Sequence, residues 1–426
     1  MKLRFDPYKF NRFDSNGVPV HWKSIPWADG YVYIYVLATI GARYDPVGRE
    51  GLAHFFEHLP FNGCKGYPTL EHIEHASRTI FMDTLNALTG FEYTFYYGKA
   101  AVSDLGRAMG FLGSFVTAPL LQKEEVERER SVILQELWRQ YKSEQGENLA
   151  KTIRKLFYNT HPFSQKDLAL GWHDTIALIS RDELARFHAE HYHRGNIRLI
   201  LVGDIDERTA SDVSELLTRL IPIGKTREAP EPLDPFPAPA QREYRLSASE
   251  FYGTPEWSAP KSTIISVARA YRRTSNREAT TVMTDLIRRI LFKEIRGSLG
   301  AMYSADVSNS IFRDHMMLNI ETKVPPKEAG RVESIISDML SSLQRTDEHA
   351  ALFEEIKAAY ICNIRMGDRS IRDLAKNATM ELATMDRIVP LEEDLDDAAK
   401  VTYDDIAALA AKEFKPESLF WYVMRP

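Results

Sequence analysis

The chain repeats itself once, weakly, and that repeat limits its possible architectures more than any other feature. Arg181-Asp182-Glu183-Leu184-Ala185-Arg186-Phe187, ahead of Ile197-Arg198-Leu199-Ile200-Leu201, is answered by a later copy. That copy is Tyr403-Asp404-Asp405-Ile406-Ala407-Ala408-Leu409, ahead of Leu419-Phe420-Trp421-Tyr422-Val423, at an offset of 222 residues (404 − 182) in a chain of 426. Between the copies, Leu220 to Arg242 carries Pro222, Pro230, Pro232, Pro235, Pro237 and Pro239 among charged residues, the composition of a linker. A chain this long exceeds one ordinary core. The expectation is an α+β protein of two homologous domains, 1–221 and 243–426, joined by a proline-rich linker at 222–242. Each domain is expected to be a mainly antiparallel sheet with helices packed on one face.

Val32 to Ile40 is β-branched and aromatic, as in a buried strand, and Gly41-Ala42-Arg43-Tyr44-Asp45 turns out of it. Gly51-Leu52-Ala53-His54-Phe55-Phe56-Glu57-His58-Leu59 then reads as helix. At 100° per residue, His58 lies about 40° from His54, and Glu57 lies about 60° to the other side. Two imidazoles so placed can grip one Zn²⁺ while the carboxylate sits beside a water. The order His-x-x-Glu-His is the inverted form of the zinc-peptidase motif. Pro60 deletes a helical hydrogen bond and should end or kink the helix there. A second cluster, Glu71-His72-Ile73-Glu74-His75, reads as a solvated helix face. Cys64 is assigned a structural role.

A catalytic zinc needs a third protein ligand and one open position. Lys123 to Trp138 is an acid-rich stretch without Gly or Pro and reads as helix. Glu129 and Glu136 stand two turns apart on it and point the same way. Position alone does not choose among its acids, most of which would be solvated or paired with Arg128 and Arg130.

His54-Phe55-Phe56-Glu57-His58, then Asn62-Gly63, then Glu127-Arg128-Glu129-Arg130-Ser131-Val132-Ile133-Leu134-Gln135-Glu136 resemble the pitrilysin and insulinase (M16) peptidases. The closest resemblance is to the half-length members related to the mitochondrial processing peptidase. The resemblance implies Glu136 as third zinc ligand, 78 residues beyond His58 (136 − 58). It also implies Glu129 as the acid supporting the site from behind, and Glu57 as general base. It implies that Asn86, Ala87 and Leu88, on a strand from Leu85 to Thr89, take up the substrate peptide as an added strand. Asp83 and Thr84 stand where the family usually has glycines. In the second half it points to Arg296 and Tyr303, seven apart around a Gly-rich turn, as the pair that stabilises the oxyanion. Gly297 replaces the Glu usual after the Arg.

The second copy has no His-x-x-Glu-His, its corresponding region reading Thr274-Ser275-Asn276-Arg277-Glu278, so one zinc per chain is expected. The family's closed chamber of four such domains implies a homodimer with the active site shared between chains, acting on peptides or unfolded segments. The alternatives are a non-catalytic scaffold subunit of the same fold or an active subunit of a hetero-dimer. Net charge −6 and pI near 6.1 give no basic footprint for nucleic acid. The N-terminus lacks an apolar signal core and no run approaches a membrane span. A cytoplasmic location is the expectation that follows.

Overall fold

A computed structural model describes residues 6–25, 27–166, 169–224, 237–247, 262–273, 276–299, 305–345, 348–366 and 370–426. The first sheet holds β1 (Asn11–Ser15), β2 (Val18–Ser24), β3 (Tyr31–Ala38), β4 (Asn86–Thr89), β5 (Thr94–Ala101) and β6 (Ile197–Gly203). Their order is β1-β2-β6-β3-β5-β4, with β2 and β6 the one parallel pair. The helices interleaved with these strands are α1 (Leu52–His58), α2 (Leu70–Phe81), α3 (Leu105–Thr117), α4 (Lys123–Tyr141), α5 (Glu144–Tyr158), α6 (His173–Leu178), α7 (Arg181–His191) and α8 (Glu207–Thr218).

The second sheet holds β7 (Glu243–Ser247), β8 (Thr263–Arg272), β9 (Ala305–Ile311), β10 (His315–Val324) and β11 (Phe420–Arg425), in the order β7-β11-β8-β10-β9. Its half of the chain adds α9 (Arg277–Leu299), α10 (Ala329–Ser342), α11 (Ala350–Met366), α12 (Ile371–Met385), α13 (Leu391–Lys400) and α14 (Tyr403–Glu413). The expected α+β class with two mainly antiparallel sheets is what the chain forms. No helix among the described residues is long and apolar enough to cross a membrane.

The sequence repeat has a structural counterpart. Ser180 and Thr402 each open a helix with a capping box, closed by Glu183 and Asp405 respectively. Each box satisfies two orphan N–H groups at the helix start, contributing about 1 kcal/mol. The strand that follows enters the middle of its sheet in the same way in both halves. β6 pairs parallel with β2 and antiparallel with β3; β11 pairs parallel with β7 and antiparallel with β8.

The two compact units are not simply the two halves. One comprises 1–140, 166–230 and 368–391, and the other 141–165, 231–367 and 392–426. Each unit therefore takes one helix from the opposite half of the sequence. In the first unit, Gly98 meets Phe81 of α2 and Tyr96 meets Phe115 of α3 on one face of the sheet. Strand alternation puts Tyr33, Tyr35 and Tyr97 on the other face. Tyr35 and Tyr97 stack at 4.9 Å, and Arg372 of α12 hydrogen-bonds Tyr97 there. The buried positions of α12, Ile371, Leu374, Ala375, Ala378 and Leu382, fall at helical spacing, the stripe a helix needs to lie on a sheet. In the second unit the equivalent place is taken by α5, whose Leu149 and Ile153 pack with Leu246, Ile264 and Met424. Burying a side chain of this size stabilises by roughly 1.5–3 kcal/mol, so each borrowed helix contributes to the core of the unit it joins.

Candidate active site

The metal helix is built from the outside in. Gly51, its N-cap, has φ 92°, a left-handed conformation that costs a side chain dearly. Asp45 caps the exposed N–H groups instead of an N-cap side chain: Oδ2 accepts from Gly51 N at 2.7 Å and Oδ1 from Ala53 N at 2.9 Å. Leu52 through Glu57 are all buried, and Phe56 sits 4.8 Å from Tyr192 and stacks on His188 at 4.9 Å, fixing α1 against α7. Pro60 has the effect expected of it. The α-helix stops at His58 and tightens into a 3-10 turn over Leu59–Asn62, in which Leu59 N–H bonds the Phe56 carbonyl. That i−3 bond occupies the acceptor for which Pro60 has no donor.

His54, His58 and Glu136 come together. The two Nε2 atoms are 3.3 Å apart, and Glu136 Oε2 lies 3.9 Å from each. Two nitrogens bound tetrahedrally to zinc at about 2.0–2.1 Å would stand about 3.3–3.4 Å apart, so the histidines fit one ion without rearrangement and the carboxylate is within a small rotation of it. Among the described residues this is the one group of three His, Cys, Asp or Glu side chains so placed. On α4, Glu129 points the same way as Glu136, and its Oε2 lies 3.1 Å from His58 Nδ1. A carboxylate there holds Nδ1 as the N–H tautomer and leaves the Nε2 lone pair for a metal. Burial and the neighbouring His58 push His54 down to about 3, so it is a neutral imidazole and a competent ligand. Burial would also lower His58, but its hydrogen bond to Glu129 and the Glu57 and Glu136 carboxylates outweigh that and raise it. Glu129 shows the reverse balance: burial opposes ionisation, and the hydrogen bonds from His58 and Asn62 carry it below the usual carboxylate range.

Glu57 is 8% exposed. Burial raises its pKa, partly offset by hydrogen bonds from the Thr89 side chain and backbone and by the charge of His58. Its Oε2 is buried and has no hydrogen-bond partner. An unpaired buried carboxylate oxygen on the helix that carries both histidines is costly in a finished core and suits a site that receives a water or a metal.

Sequence reasoning assigned no role to two residues that tie this centre together. Asn62, at the end of the 3-10 turn, accepts from Arg128, donates to the His58 carbonyl at 3.4 Å and bonds Glu129. Thr89, the last residue of β4, favours the ionised Glu57 carboxyl through its hydroxyl and N–H, against the larger effect of burial. Asn62 was visible only as part of a motif, and nothing local marks Thr89. Asn86, Ala87 and Leu88 lie on β4, an edge strand of the first sheet, with Asn86 and Leu88 exposed. Asn86 Oδ1 accepts from Ala87 N at 2.8 Å. Arg296 is exposed on α9, its guanidinium 5.5 Å from the Phe292 ring centre, while Tyr303 lies outside the described residues. His72 and His75 are exposed on α2, with His72 Nδ1 2.6 Å from Thr69 Oγ1. Cys64 is fully buried, and burial pushes its thiol up to about 12.

Residues 29–167 match the insulinase family (peptidase family M16), and residues 178–360 match the peptidase M16 inactive domain. An uncharacterized zinc protease of Rickettsia bellii is 24% identical over 97% of this chain and 96% of its own. The mitochondrial-processing peptidase subunit beta of Homo sapiens is 32% identical over 41% of this chain and 35% of its own. The crystal structure of the first half of the periplasmic protease PqqL from Escherichia coli superposes with a TM-score of 0.80 at 19% identity, covering 98% of this chain and 92% of that one. Against the crystal structure of the periplasmic protease PqqL from Escherichia coli, 98% of this chain spans 47% of that one. Two family domains in tandem, the two-sheet fold and a centre of two histidines and a glutamate place this chain in the insulinase (M16) family of peptidases.

Proposed function

We propose that the protein is a zinc-dependent endopeptidase acting on peptides or unfolded segments. The observation that carries the reading is His54, His58 and Glu136 within 3.3–3.9 Å of one another, with the unpartnered Oε2 of Glu57 on the same helix. His54, His58 and Glu136 would hold Zn²⁺, which when bound supplies a Lewis acid that activates water and polarises a carbonyl. Glu129 keeps His58 in its ligating tautomer. Glu57 takes a proton on Oε2 from the attacking water as its oxygen bonds the carbonyl carbon. It then delivers that proton to the leaving nitrogen as the C–N bond breaks. Asn86, Ala87 and Leu88 offer an edge to an extended peptide, whose backbone would add to β4. Arg296 and Tyr303 supply a cation and a phenol to the developing oxyanion.

The assembly proposed is a homodimer in which each chain completes its partner's site, since the chain spans about half of a double-length relative. Its place of action is proposed to be the cytoplasm. The experiment is a mixed peptide library incubated with purified protein, with products read by mass spectrometry and zinc measured on the same sample. About one zinc per chain and cleavage that falls at least roughly 10²-fold in Glu57→Gln, with zinc retained, is the expected result. Full zinc retention in both His54→Ala and Glu136→Gln, or cleavage by Glu57→Gln at the normal rate, would overturn it.

A further inference from the structure

The inference rests on the peptidase reading above and concerns what fixes the substrate edge relative to the metal helix. Among the described residues β4 pairs with β5 alone, and its open side is the edge assigned to the peptide. The same strand is in contact with α1. An outer strand has a neighbour on one side only, so pairing by itself holds it less firmly than a central strand.

Residues 41–45 bridge the hairpin and the helix. At their middle is a 3-10 turn, Ala42–Tyr44, in which Tyr44 N–H donates to the Gly41 carbonyl at 2.9 Å and Asp45 N–H to the Ala42 carbonyl at 3.2 Å. On one side this turn grips the loop after β4: Ala42 N–H donates to the Gly90 carbonyl at 3.2 Å, and Arg43 N–H to the Phe91 carbonyl at 2.7 Å. Arg43 Nη1 meets Glu92 Oε1 at 2.8 Å, with 3% and 1% of the two side chains exposed. On the other side the Asp45 carboxylate accepts from the N–H groups of Gly51 and Ala53, the second of them one residue before His54. A continuous run of hydrogen bonds therefore leads from the loop that follows β4 to the start of the helix that carries His54, Glu57 and His58.

A buried ion pair is a poor source of stability. Taking two charges out of water costs about as much as their attraction returns, and apolar residues of similar volume often serve a fold equally well. What the pair supplies is direction and length, because a guanidinium N–H and a carboxylate oxygen meet at a set distance and over a narrow range of angles. The nearly dry Arg43–Glu92 contact suits alignment better than it suits cohesion.

We propose that Arg43 and Glu92 are positioning residues that hold the β4–β5 hairpin in one placement against the metal helix. A peptide added to β4 is thereby presented at a fixed height relative to His54, Glu57 and His58. The pair acts through the backbone of residues 41–45 and not by contact with the peptide.

The test replaces both partners together, Arg43→Met with Glu92→Leu, so that no charge is left buried alone. This double variant should melt within about 4 °C of wild type and keep about one zinc per chain. On a peptide that the wild-type protein cleaves, its kcat should fall roughly 10- to 100-fold, the scale of a misplacement of about 1 Å, with KM changed less than about threefold. Arg43→Lys keeps a cation opposite Glu92 and should retain at least about a third of wild-type kcat. Hydrogen exchange reads the alignment without catalysis. In the double variant the N–H groups of Ala42 and Arg43, which donate to the hairpin, should exchange at least about tenfold faster, and those of Gly51 and Ala53 at the wild-type rate. Wild-type kcat in the double variant, a kcat in Arg43→Lys as low as that of the double variant, or unchanged exchange at Ala42 and Arg43 overturns the positioning role. So does loss of zinc or of folding in the double variant, which would make the pair a support of the fold. If Glu57→Gln is inactive while the double variant keeps wild-type kcat, the positioning role alone fails. If Glu57→Gln is itself fully active, the peptidase reading fails and the positioning role with it.

Discussion

Glu129→Leu is expected to weaken zinc binding without touching a ligand. The carboxylate accepts from His58 Nδ1 at 3.1 Å with 12% of its side chain exposed, so solvent does little to screen the bond or replace it. A hydrogen bond to a charged partner in such a place is worth roughly 1.5–3 kcal/mol net. Without it the imidazole is less basic at Nε2 and free to turn, and loss of such a partner weakens metal affinity about 10- to 100-fold, or about 1.4–2.7 kcal/mol. The two ranges overlap, so most of the hydrogen bond should appear as lost affinity. Glu129→Gln keeps an oxygen that can accept from Nδ1 but loses the charge, and about a three- to tenfold loss is expected. The assay is competition for zinc against a fluorescent chelator at neutral pH. Glu129 is also bonded by Asn62, so Asn62→Ala serves as the control for general loosening and should cost less than Glu129→Leu. Affinity of Glu129→Leu within about twofold of wild type would refute the claim that the carboxylate orients His58.

Three other outcomes follow from the same structure. A variant carrying Glu57→Gln and another carrying Arg296→Ala with Tyr303→Phe should each be nearly inactive. Mixed and allowed to exchange, they should regain roughly a quarter of wild-type activity, since about half the dimers are hybrids with one intact site of two; no recovery despite exchange seen by native mass spectrometry would exclude a shared site. His21 is held at about 4, below its ordinary 6.5, by burial and by Arg12 and Arg198, so the unfolded chain binds the extra proton first on acidification. Stability should be level above pH 6.5 and fall by about 3 kcal/mol toward pH 4, and His21→Gln should remove that part of the slope in denaturant titrations. Gly41→Ala would place a Cβ 2.3 Å from the Gly90 carbonyl oxygen, where the turn before the metal helix meets the β4–β5 hairpin. A loss of about 1–3 kcal/mol in thermal unfolding is expected, and an unchanged melting temperature would show that the two turns part freely.

Local spacing made the ligating histidines and the base legible in the sequence. His54, Glu57 and His58 are one helical turn apart, and nothing beyond the 3.6-residue period is needed to bring them to one side. The linked repeat was legible for the same reason, because a capping box and the strand after it are written in adjacent residues, Ser180 to Gly203 and Thr402 to Arg425. The period of α4 put Glu129 and Glu136 on one side, but only the packing of that helix against α1 separates them from Glu124, Glu125 and Glu127. One lies behind His58 and the other 3.9 Å from both Nε2 atoms. Thr89 carries no local signal at all: its place at the end of β4 is set by the pairing of that strand with β5, where it stands opposite Thr94. The reciprocal loan of α5 and α12 was equally invisible, since an amphipathic helix states that it needs an apolar surface and not which sheet will provide one. Periodicity speaks for neighbours in sequence, and the choice among distant partners is made by the packing of the whole unit.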